Sequence, residues 1–341
     1  MNPPFRFLLV GTGGISNAYI QAAANIDGLE ISGVVSRSGR RPEGLTESAG
    51  VHSSITEAKC PADAVILATP NGTHLELAEE AAHKGIHVLV EKVLEITPDR
   101  ADQMIRSCAE NKVVLAVSFQ RRMSPDNAIL KKLLENEVLG KLYAASMDVR
   151  FHRDMEYYDS GDYRGGWAID GGGPFIQQAA HNADLLCWWF GLPETVTSLL
   201  HRHDRDIEAY DHGTAMLQYP CGLQVSFIAS TICKPGFPTR FELHTEKGSL
   251  LMENDQFTQW NIEGINNPAN QSFKVHDGAA SATVSDTAGH EALLWDFADS
   301  VRNKREPLVP AKSARMATYL VYQIYCNNQN PHFRTPYQPE A

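Results

Sequence analysis

The sequence lacks the features that mark a membrane-bound or secreted protein. No apolar run approaches the roughly 18 consecutive residues that cross a bilayer. The opening residues, MNPPFRF, do not have the charged-then-apolar layout of a signal peptide. The six cysteines are scattered without the CxxC spacing of zinc sites or a disulfide framework. These absences predict a cytoplasmic protein with no membrane as a partner.

Basic residues are also in deficit. With 41 acidic side chains against 30 Lys and Arg, the formal net charge is −11, which argues against nucleic acid as a partner. The histidines, including His201, His203 and His212, show no ligand spacing, so we expect no metal. A length of 341 residues with 43% hydrophobic content is typical of a globular protein with two domains. We place them at residues 1–120 and 121–341.

A glycine-rich turn follows the first apolar segment. Residues 7–10 form a continuous apolar run, typical of a strand buried on both faces, and GTGG (residues 11–14) then leads into helical spacing. Such a unit directs backbone N–H groups and the positive end of a helix dipole at one spot, which suits a pyrophosphate. Gly11 would allow the tight turn and Gly13 the close approach of the phosphates, with Ser16 at the third position of the fingerprint.

The end of the second strand, predicted over residues 31–36, bears on which dinucleotide binds. An Asp or Glu there would bond both ribose hydroxyls and repel a 2′-phosphate. This chain has Ser36 and Arg37 instead, followed by SGRR (residues 38–41). Hydroxyls beside guanidinium groups suit a phosphate dianion, so NADP(H) is favoured over NAD(H).

Two further loops follow buried strands predicted over residues 63–69 and 86–90. The first loop is PNGTH (residues 70–74), and the second begins with Glu91 and Lys92. Ligands of open α/β sheets bind at the carboxyl ends of the strands, where both loops lie. The Lys92 amine could exchange a proton with a substrate hydroxyl, and its charge would favour an alkoxide-like transition state. A surface lysine after a strand is the other interpretation.

Beyond residue 120 the pattern changes to short β-rich runs. The runs between residues 194 and 261 predict an open, largely antiparallel sheet, and residues 262–286 predict a loop. Residues 154–158 and 163–167 mix aromatic, polar and glycine residues. That composition suits a sugar, whose C–H faces stack on rings, although each ring could equally pack within its own domain.

A helix is predicted over residues 175–190, after the glycines at 171–173. On one continuous helix, Gln177 and His181 would share a face and Asp184 would lie one turn beyond.

Together these motifs resemble the glucose–fructose oxidoreductase/inositol dehydrogenase/MocA (Gfo/Idh/MocA) family over nearly the whole chain. The motifs that carry the resemblance are GTGGIS (11–16), ATPNGTH (68–74), EK (91–92), FQRRMSP (119–125), GGGPFIQQAAHNAD (171–184) and HEALLWDFADSVRNKREPLVP (290–310). The resemblance implies a Rossmann domain with a doubly wound parallel sheet, followed by an α+β domain whose sheet forms a homodimer or homotetramer.

The resemblance also implies roles for individual residues. Lys92 would be the lysine of the family's EKP motif, with Val93 in place of the proline, and His181 would match the catalytic histidine. Gln177 stands where the family often has aspartate, and it cannot take a proton, so acid–base work falls to Lys92 and His181. Residues assigned to the substrate are Gln177, Arg122, Tyr158, Arg164, Trp167 and Asp184. Residues assigned to the cofactor are Gly11, Thr12, Gly13, Gly14, Ile15, Ser36, Arg37, Ser38, Arg41, Thr69, Pro70, Asn71, His74, Glu91, Lys92 and Gln120.

We therefore expect an NAD(P)-dependent dehydrogenase or reductase acting on a secondary hydroxyl, or the ketone, of a sugar, sugar derivative or inositol. Two alternatives stay open at this point. One is a redox-neutral sugar enzyme that recycles its cofactor through elimination, epimerisation or glycoside cleavage. The other is a regulator that senses NAD(P) without catalysis.

Overall fold

The computed structural model describes residues 3–203, 205–269 and 287–337. The strands are β1 (Phe5–Val10), β2 (Leu29–Val35), β3 (Gly50–His52), β4 (Ala64–Leu67), β5 (His87–Val90), β6 (Leu115–Val117), β7 (Leu142–Arg150), β8 (Thr195–His201), β9 (His212–Gln218), β10 (Gln224–Ser230), β11 (Arg240–Thr245), β12 (Gly248–Glu253) and β13 (Gln256–Ile262). The helices are α1 (Gly14–Ala24), α2 (His74–His83), α3 (Pro98–Glu110), α4 (Pro125–Glu135), α5 (Met155–Asp159), α6 (Pro174–Gln177), α7 (Ala180–Phe190), α8 (Ala288–Asn303) and α9 (Ala311–Cys326).

The chain forms two compact units. The first comprises the residues up to Gln120 and a later segment that ends at Arg315, and the second begins at Arg121 and resumes at Met316. No helix in the described ranges has the length and apolarity needed to cross a membrane. Residues 270–286, most of the predicted loop, lie outside the described residues.

The first unit is built on a six-stranded sheet in the order β3-β2-β1-β4-β5-β6. Every pair in it is parallel. The central strands are almost wholly apolar, and all four residues of β4 are buried, as expected for strands covered on both faces. The predicted doubly wound parallel sheet is confirmed. Its order also brings the carboxyl ends of β1, β4 and β5 next to one another.

Helix α8 belongs to the first unit, whereas the sequence analysis assigned it to the second domain. The Phe297 ring is fully buried, with its centroid 6.5 Å from that of Phe5 and 6.1 Å from that of Phe7. The α8 side chain Glu291 also accepts a 2.6 Å hydrogen bond from Asn25. The reason for this placement is burial of β1. This strand carries apolar side chains, and a segment distant in the sequence packs over them.

The second unit contains a seven-stranded sheet in the order β13-β12-β11-β7-β10-β9-β8. All neighbours are antiparallel except β7 and β10, so the predicted open, largely antiparallel sheet is confirmed. Rings of α6 and α7 pack on one face, as the contact between Phe175 and Phe227 at 5.0 Å illustrates.

The helix predicted over residues 175–190 is interrupted, and that prediction was wrong. The Pro174 carbonyl accepts hydrogen bonds from the amides of both Gln178 (3.0 Å) and Ala179 (2.9 Å). The second bond spans five residues, so the turn widens and a new helix starts at Ala180. Gln177 and His181 therefore do not share a face of one continuous helix.

Candidate functional site

The turn between β1 and α1 has the geometry that a dinucleotide fingerprint requires. Gly11 has a φ of +106°, and a Cβ atom built on it would lie 2.3 Å from the Ala68 carbonyl oxygen. Only glycine avoids both the strained backbone and the clash. The turn is therefore fixed by the contact between the ends of β1 and β4.

The space in front of α1 fits an anionic group. Gly13 caps this helix, and a Cβ atom built on Gly13 or Gly14 would meet no protein atom within 4 Å. The first turn of α1 carries no acidic residue. The Ser16 amide and hydroxyl both donate to the Gly13 carbonyl, at 3.1 Å and 2.6 Å, which holds the loop in place. An exposed helix N-terminus with this clearance suits a pyrophosphate.

Hydroxyl groups line the loop after β2. The Ser36 Oγ lies 3.4 Å from Thr12 Oγ1 and 3.3 Å from Ser38 Oγ. The neighbouring Arg37 is exposed, and it makes no hydrogen bond or ion pair within the described residues. Arg41, also assigned to the cofactor, instead donates to the carbonyls of Ala49 and Thr46. It closes its own loop, which leaves the exposed Arg37 and Arg40 as the guanidinium groups of this loop that could reach a ligand.

His74 joins the loops that follow β4 and β5. Its ring is fully buried, with Nδ1 2.9 Å from the Val93 carbonyl oxygen and Nε2 3.0 Å from that of Thr69. From the sequence, His74 is expected to contact the cofactor. The contacts of its ring indicate instead a positioning role, in which His74 sets the distance between the two loops.

Lys92 is half-buried, and the preceding Glu91 holds its backbone. The Glu91 Oε2 accepts a 3.0 Å bond from the Lys92 amide, and Oε1 accepts a 2.5 Å bond from the Tyr19 hydroxyl. That hydroxyl also lies 2.7 Å from Ser118 Oγ. Burial raises the pKa of Tyr19 well above its usual value, so it acts as a donor here. Sequence reasoning missed Tyr19 and Ser118, because neither lies near Lys92 in the chain.

The remaining cofactor residues of the first unit lie at the same strand ends or beside them. The Thr73 hydroxyl donates 2.7 Å to the Pro70 carbonyl and lies 2.9 Å from Thr69 Oγ1, which stiffens the loop after β4. Asn71 is buried, and Ile15 and Gln120 are half-buried.

In the second unit, Gln177 is tied to the preceding loop. Its side-chain amide donates to both the carbonyl (2.6 Å) and Oδ1 (2.7 Å) of Asp170. The Asp170 Oδ2 accepts from the Gly165 amide at 2.8 Å. His181 is half-buried in the first turn of α7, just past the helix break. Asp170 was not among the site residues predicted from the sequence, because a continuous helix over residues 175–190 gives no indication of its bond to Gln177.

Arg122 and Asp184 form a buried ion pair. The guanidinium donates to both carboxylate oxygens, at 2.8 Å and 2.6 Å, and the side chains are only 2% and 1% exposed. Burial raises the pKa of Asp184, and the Arg122 charge opposes that rise. Both residues were assigned to the substrate, but their geometry favours a structural role. The pair joins the segment before α4 to helix α7.

Two of the aromatic residues assigned to the substrate lie in the core of the second unit. Trp167 is 8% exposed and packs against Tyr210, Tyr325 and Tyr337 with centroid distances of 5.8, 5.5 and 5.8 Å. Tyr158 is buried and donates to Thr231 Oγ1 at 2.9 Å. These contacts favour packing over sugar stacking. Arg164 is half-buried on the same loop.

In the described part of the chain, no three His, Cys, Asp or Glu side chains are placed to hold a metal.

We predict that Asp184→Asn lowers the free energy of unfolding by about 3–5 kcal/mol, because it removes the carboxylate charge that faces the buried Arg122 guanidinium. Urea unfolding followed by circular dichroism measures this loss. The control is Glu135→Gln, which breaks the surface pair with Lys131 (3.3 Å) and should cost no more than about 1 kcal/mol. Equal losses in the two variants would contradict a buried pair that matters for stability.

Comparison with known proteins identifies a family match in each of the two units. Residues 5–119 match the model of an oxidoreductase family with an NAD-binding Rossmann fold (GFO_IDH_MocA), and residues 128–251 match the GFO/IDH/MocA C-terminal domain. The chain is 24% identical to inositol 2-dehydrogenase of Rhizobium meliloti, covering 92% of this chain and 90% of the relative. It is 25% identical to scyllo-inositol 2-dehydrogenase (NADP(+)) IolU of Bacillus subtilis, covering 80% of each chain.

Among solved structures, the WlbA dehydrogenase of Bordetella pertussis in complex with NADH and UDP-GlcNAcA superposes with a TM-score of 0.82. It is 29% identical and the match covers 95% of this chain and 96% of that one. The first family match contains all six strands of the parallel sheet, and the second contains strands β7 to β11 of the other sheet. The chain therefore belongs to the Gfo/Idh/MocA family of NAD(P)-dependent oxidoreductases.

Proposed function

We propose that the protein transfers a hydride between the nicotinamide and a carbon bearing a secondary hydroxyl, or the corresponding ketone, of a sugar, sugar derivative or inositol. The observation that carries this proposal is the position of Lys92. It follows β5 at the ligand-binding edge of the Rossmann sheet, and Glu91 and His74 hold the backbone on both sides of it. Two of the relatives are dehydrogenases named for inositol, and the WlbA structure was solved with UDP-GlcNAcA, which supports the same substrate class.

The residues around the glycine turn would hold the cofactor. The clearance at Gly13 and the helix N-terminus would accommodate the pyrophosphate, and the neighbouring hydroxyls of Thr12 and Ser36 would bind the adenosine part of the cofactor. When bound, the nicotinamide supplies the hydride acceptor or donor.

Lys92 and His181 would perform the proton transfer. The Lys92 amine holds or returns the proton of the substrate oxygen, and its positive form stabilises negative charge on that oxygen. His181, in the first turn of α7, serves as the second proton carrier. Gln177 would orient a substrate hydroxyl, and its bonds to Asp170 fix the side chain in place.

We further propose NADP(H) as the preferred cofactor. The β2 strand is followed by Ser36, Arg37 and Ser38 without a carboxylate that would repel a 2′-phosphate. The relatives include an enzyme named for NADP(+) and a structure with NADH. The family match alone therefore does not distinguish NADP(H) from NAD(H) as the cofactor.

A homodimer or homotetramer through the second sheet is also proposed, as is a cytoplasmic location. The sheet exposes Leu199 (60%), Met216 (50%) and Tyr143 (53%) on strands β8, β9 and β7. Covering these apolar side chains with a second subunit would remove them from water.

Lys92→Ala should lower turnover by about 10²- to 10⁴-fold, the usual contribution of a proton-transfer group, while the Kd for the cofactor stays unchanged. Steady-state rates and cofactor titrations of the same preparations measure both quantities. Lys59→Ala removes an exposed lysine of the same unit and is the control. Unchanged turnover in Lys92→Ala would remove Lys92 from the proton transfer, whereas cofactor binding without turnover in the unaltered protein would favour a cofactor-sensing protein without catalysis.

Gly13→Ala should leave the free energy of unfolding unchanged but weaken dinucleotide binding by about tenfold or more, because the methyl group fills the space needed by the phosphates. Gly11→Ala should lose stability as well, since its Cβ atom would meet the Ala68 carbonyl. Thermal unfolding and dinucleotide titration distinguish the variants. Undiminished binding by Gly13→Ala would rule out phosphates at this helix.

Tryptophan-fluorescence titration should show that NADPH binds more tightly than NADH by more than about tenfold, which is roughly 1.4 kcal/mol. Arg37→Ala should remove most of that difference by weakening NADPH binding alone. Arg106→Ala, on an exposed position of α3, should change neither affinity. A preference for NADH would refute the 2′-phosphate assignment while leaving the Rossmann domain intact.

A further inference from the structure

An arginine and a tyrosine of the second unit form an unusual stacked pair. The Arg164 guanidinium carbon lies 4.3 Å from the ring centroid of Tyr157, which belongs to α5, and 5.6 Å from that of Tyr163. A second guanidinium, that of Arg153, lies 5.6 Å from the Tyr157 ring. Aromatic faces hold a guanidinium flat and leave its edge available for hydrogen bonds.

Arg164 has no counter-charge in the described part of the chain. It makes no ion pair there, and its Nε atom is buried without a hydrogen-bond partner. Some half-buried and buried arginines pair with carboxylates, as Arg100 does with Glu95 at 2.9 Å and Arg122 with Asp184, whereas the half-buried Arg205 donates to backbone carbonyls. A partly desolvated guanidinium without a carboxylate is costly unless a ligand supplies the negative charge.

A second guanidinium and one carboxylate lie near the pair. Burial lowers the pKa of Arg153, a sign that its charge too is poorly solvated. The carboxylate of Asp170 lies on the same loop as Arg164. Its oxygens accept from the Gln177 side chain and the Gly165 amide, so they are engaged in holding the loop.

The stacked pair is joined to the segment that carries His181. The Tyr157 hydroxyl accepts a 3.3 Å bond from the Gln178 side chain, which lies in the break between α6 and α7. The loop after α5 is tied to the same break through Asp170 and Gln177. Arg164 is therefore held next to the start of α7 by two independent links.

We propose that the substrate carries an anionic group, a carboxylate or a phosphate, and that the edge of the Arg164 guanidinium binds it in a bidentate manner. This inference rests on the proposed dehydrogenase function and narrows its substrate class to acidic or phosphorylated sugar derivatives. Carboxylate and phosphate share the paired oxygens that a guanidinium fork matches. Tyr157 fixes the plane of the fork, and Gln178 fixes the tyrosine.

The test compares charged and neutral probes on the full-length protein with cofactor present. Glucuronate, glucose 6-phosphate and UDP-glucuronate are the charged probes, glucose and myo-inositol the neutral ones, and both turnover and calorimetric binding are measured. Wild-type protein should bind at least one charged probe about tenfold or more tightly than either neutral probe. The comparison among the charged probes distinguishes carboxylate from phosphate.

The Arg164→Gln variant should weaken binding of that charged probe by about 10- to 100-fold, with kcat changed little and binding of neutral probes unchanged. Arg164→Lys keeps the charge but not the fork, and should recover only part of the loss. Arg240→Gln, on an exposed strand position paired with Glu242, is the control. Should Arg164→Gln fail to fold, the Arg164→Lys variant still tests the fork, because an affinity equal to wild type would overturn it.

Three results would overturn the subsite: no charged probe binds, neutral probes bind as well as charged ones, or Arg164→Gln weakens both classes equally. The last result would mean that the pair only supports the loop. Binding of a charged probe that depends on Arg164, without any oxidation or reduction, would instead uphold the subsite and count against the proposed dehydrogenase function.

Discussion

The buried imidazole of His74 sets the geometry of the ligand-binding edge of the Rossmann unit. One ring nitrogen faces the Thr69 carbonyl and the other faces the Val93 carbonyl, so the loops after β4 and β5 are held apart by the width of a single ring. Glu91 adds a second restraint by joining the Lys92 amide to the Tyr19 hydroxyl. A lysine side chain is flexible, with several rotatable bonds, and fixing its backbone is the means by which the fold limits where the amine can reach.

Features that depend on local pattern could be predicted from the sequence. The apolar runs of β1, β4 and β5 and the glycines at the end of β1 define the parallel sheet and its helix N-terminus, because burial on both faces and a tight turn each leave a residue-level signature. The alternating runs of the second unit likewise predict its sheet. The hydroxyls and arginines after β2 follow from the strand end, although the engagement of Arg41 with its own loop does not.

Features that depend on contacts between distant residues could not be predicted in this way. Nothing in the local sequence shows that the turn after Pro174 widens or that Gln177 bonds to Asp170, so an unbroken helix is the natural expectation. Trp167 has the composition of a sugar-binding residue, yet three tyrosines from elsewhere in the chain enclose it. The ion pair of Arg122 with Asp184 likewise joins two residues that are distant in the sequence. In each case a side chain of a type that often binds ligands contacts other residues of this protein instead.

The return of α8 to the first unit affects how this protein is synthesised. A nascent chain that has emerged through Gln120 contains all six strands of the Rossmann sheet, but not Phe297, which covers Phe5 and Phe7. The apolar surface on the amino-terminal strand therefore stays without its α8 cover while the part of the second unit that begins at Arg121 is translated. The first unit is completed only when helix α8 has been synthesised and has returned to β1. A fragment cut after residue 120 would inherit that exposed surface permanently.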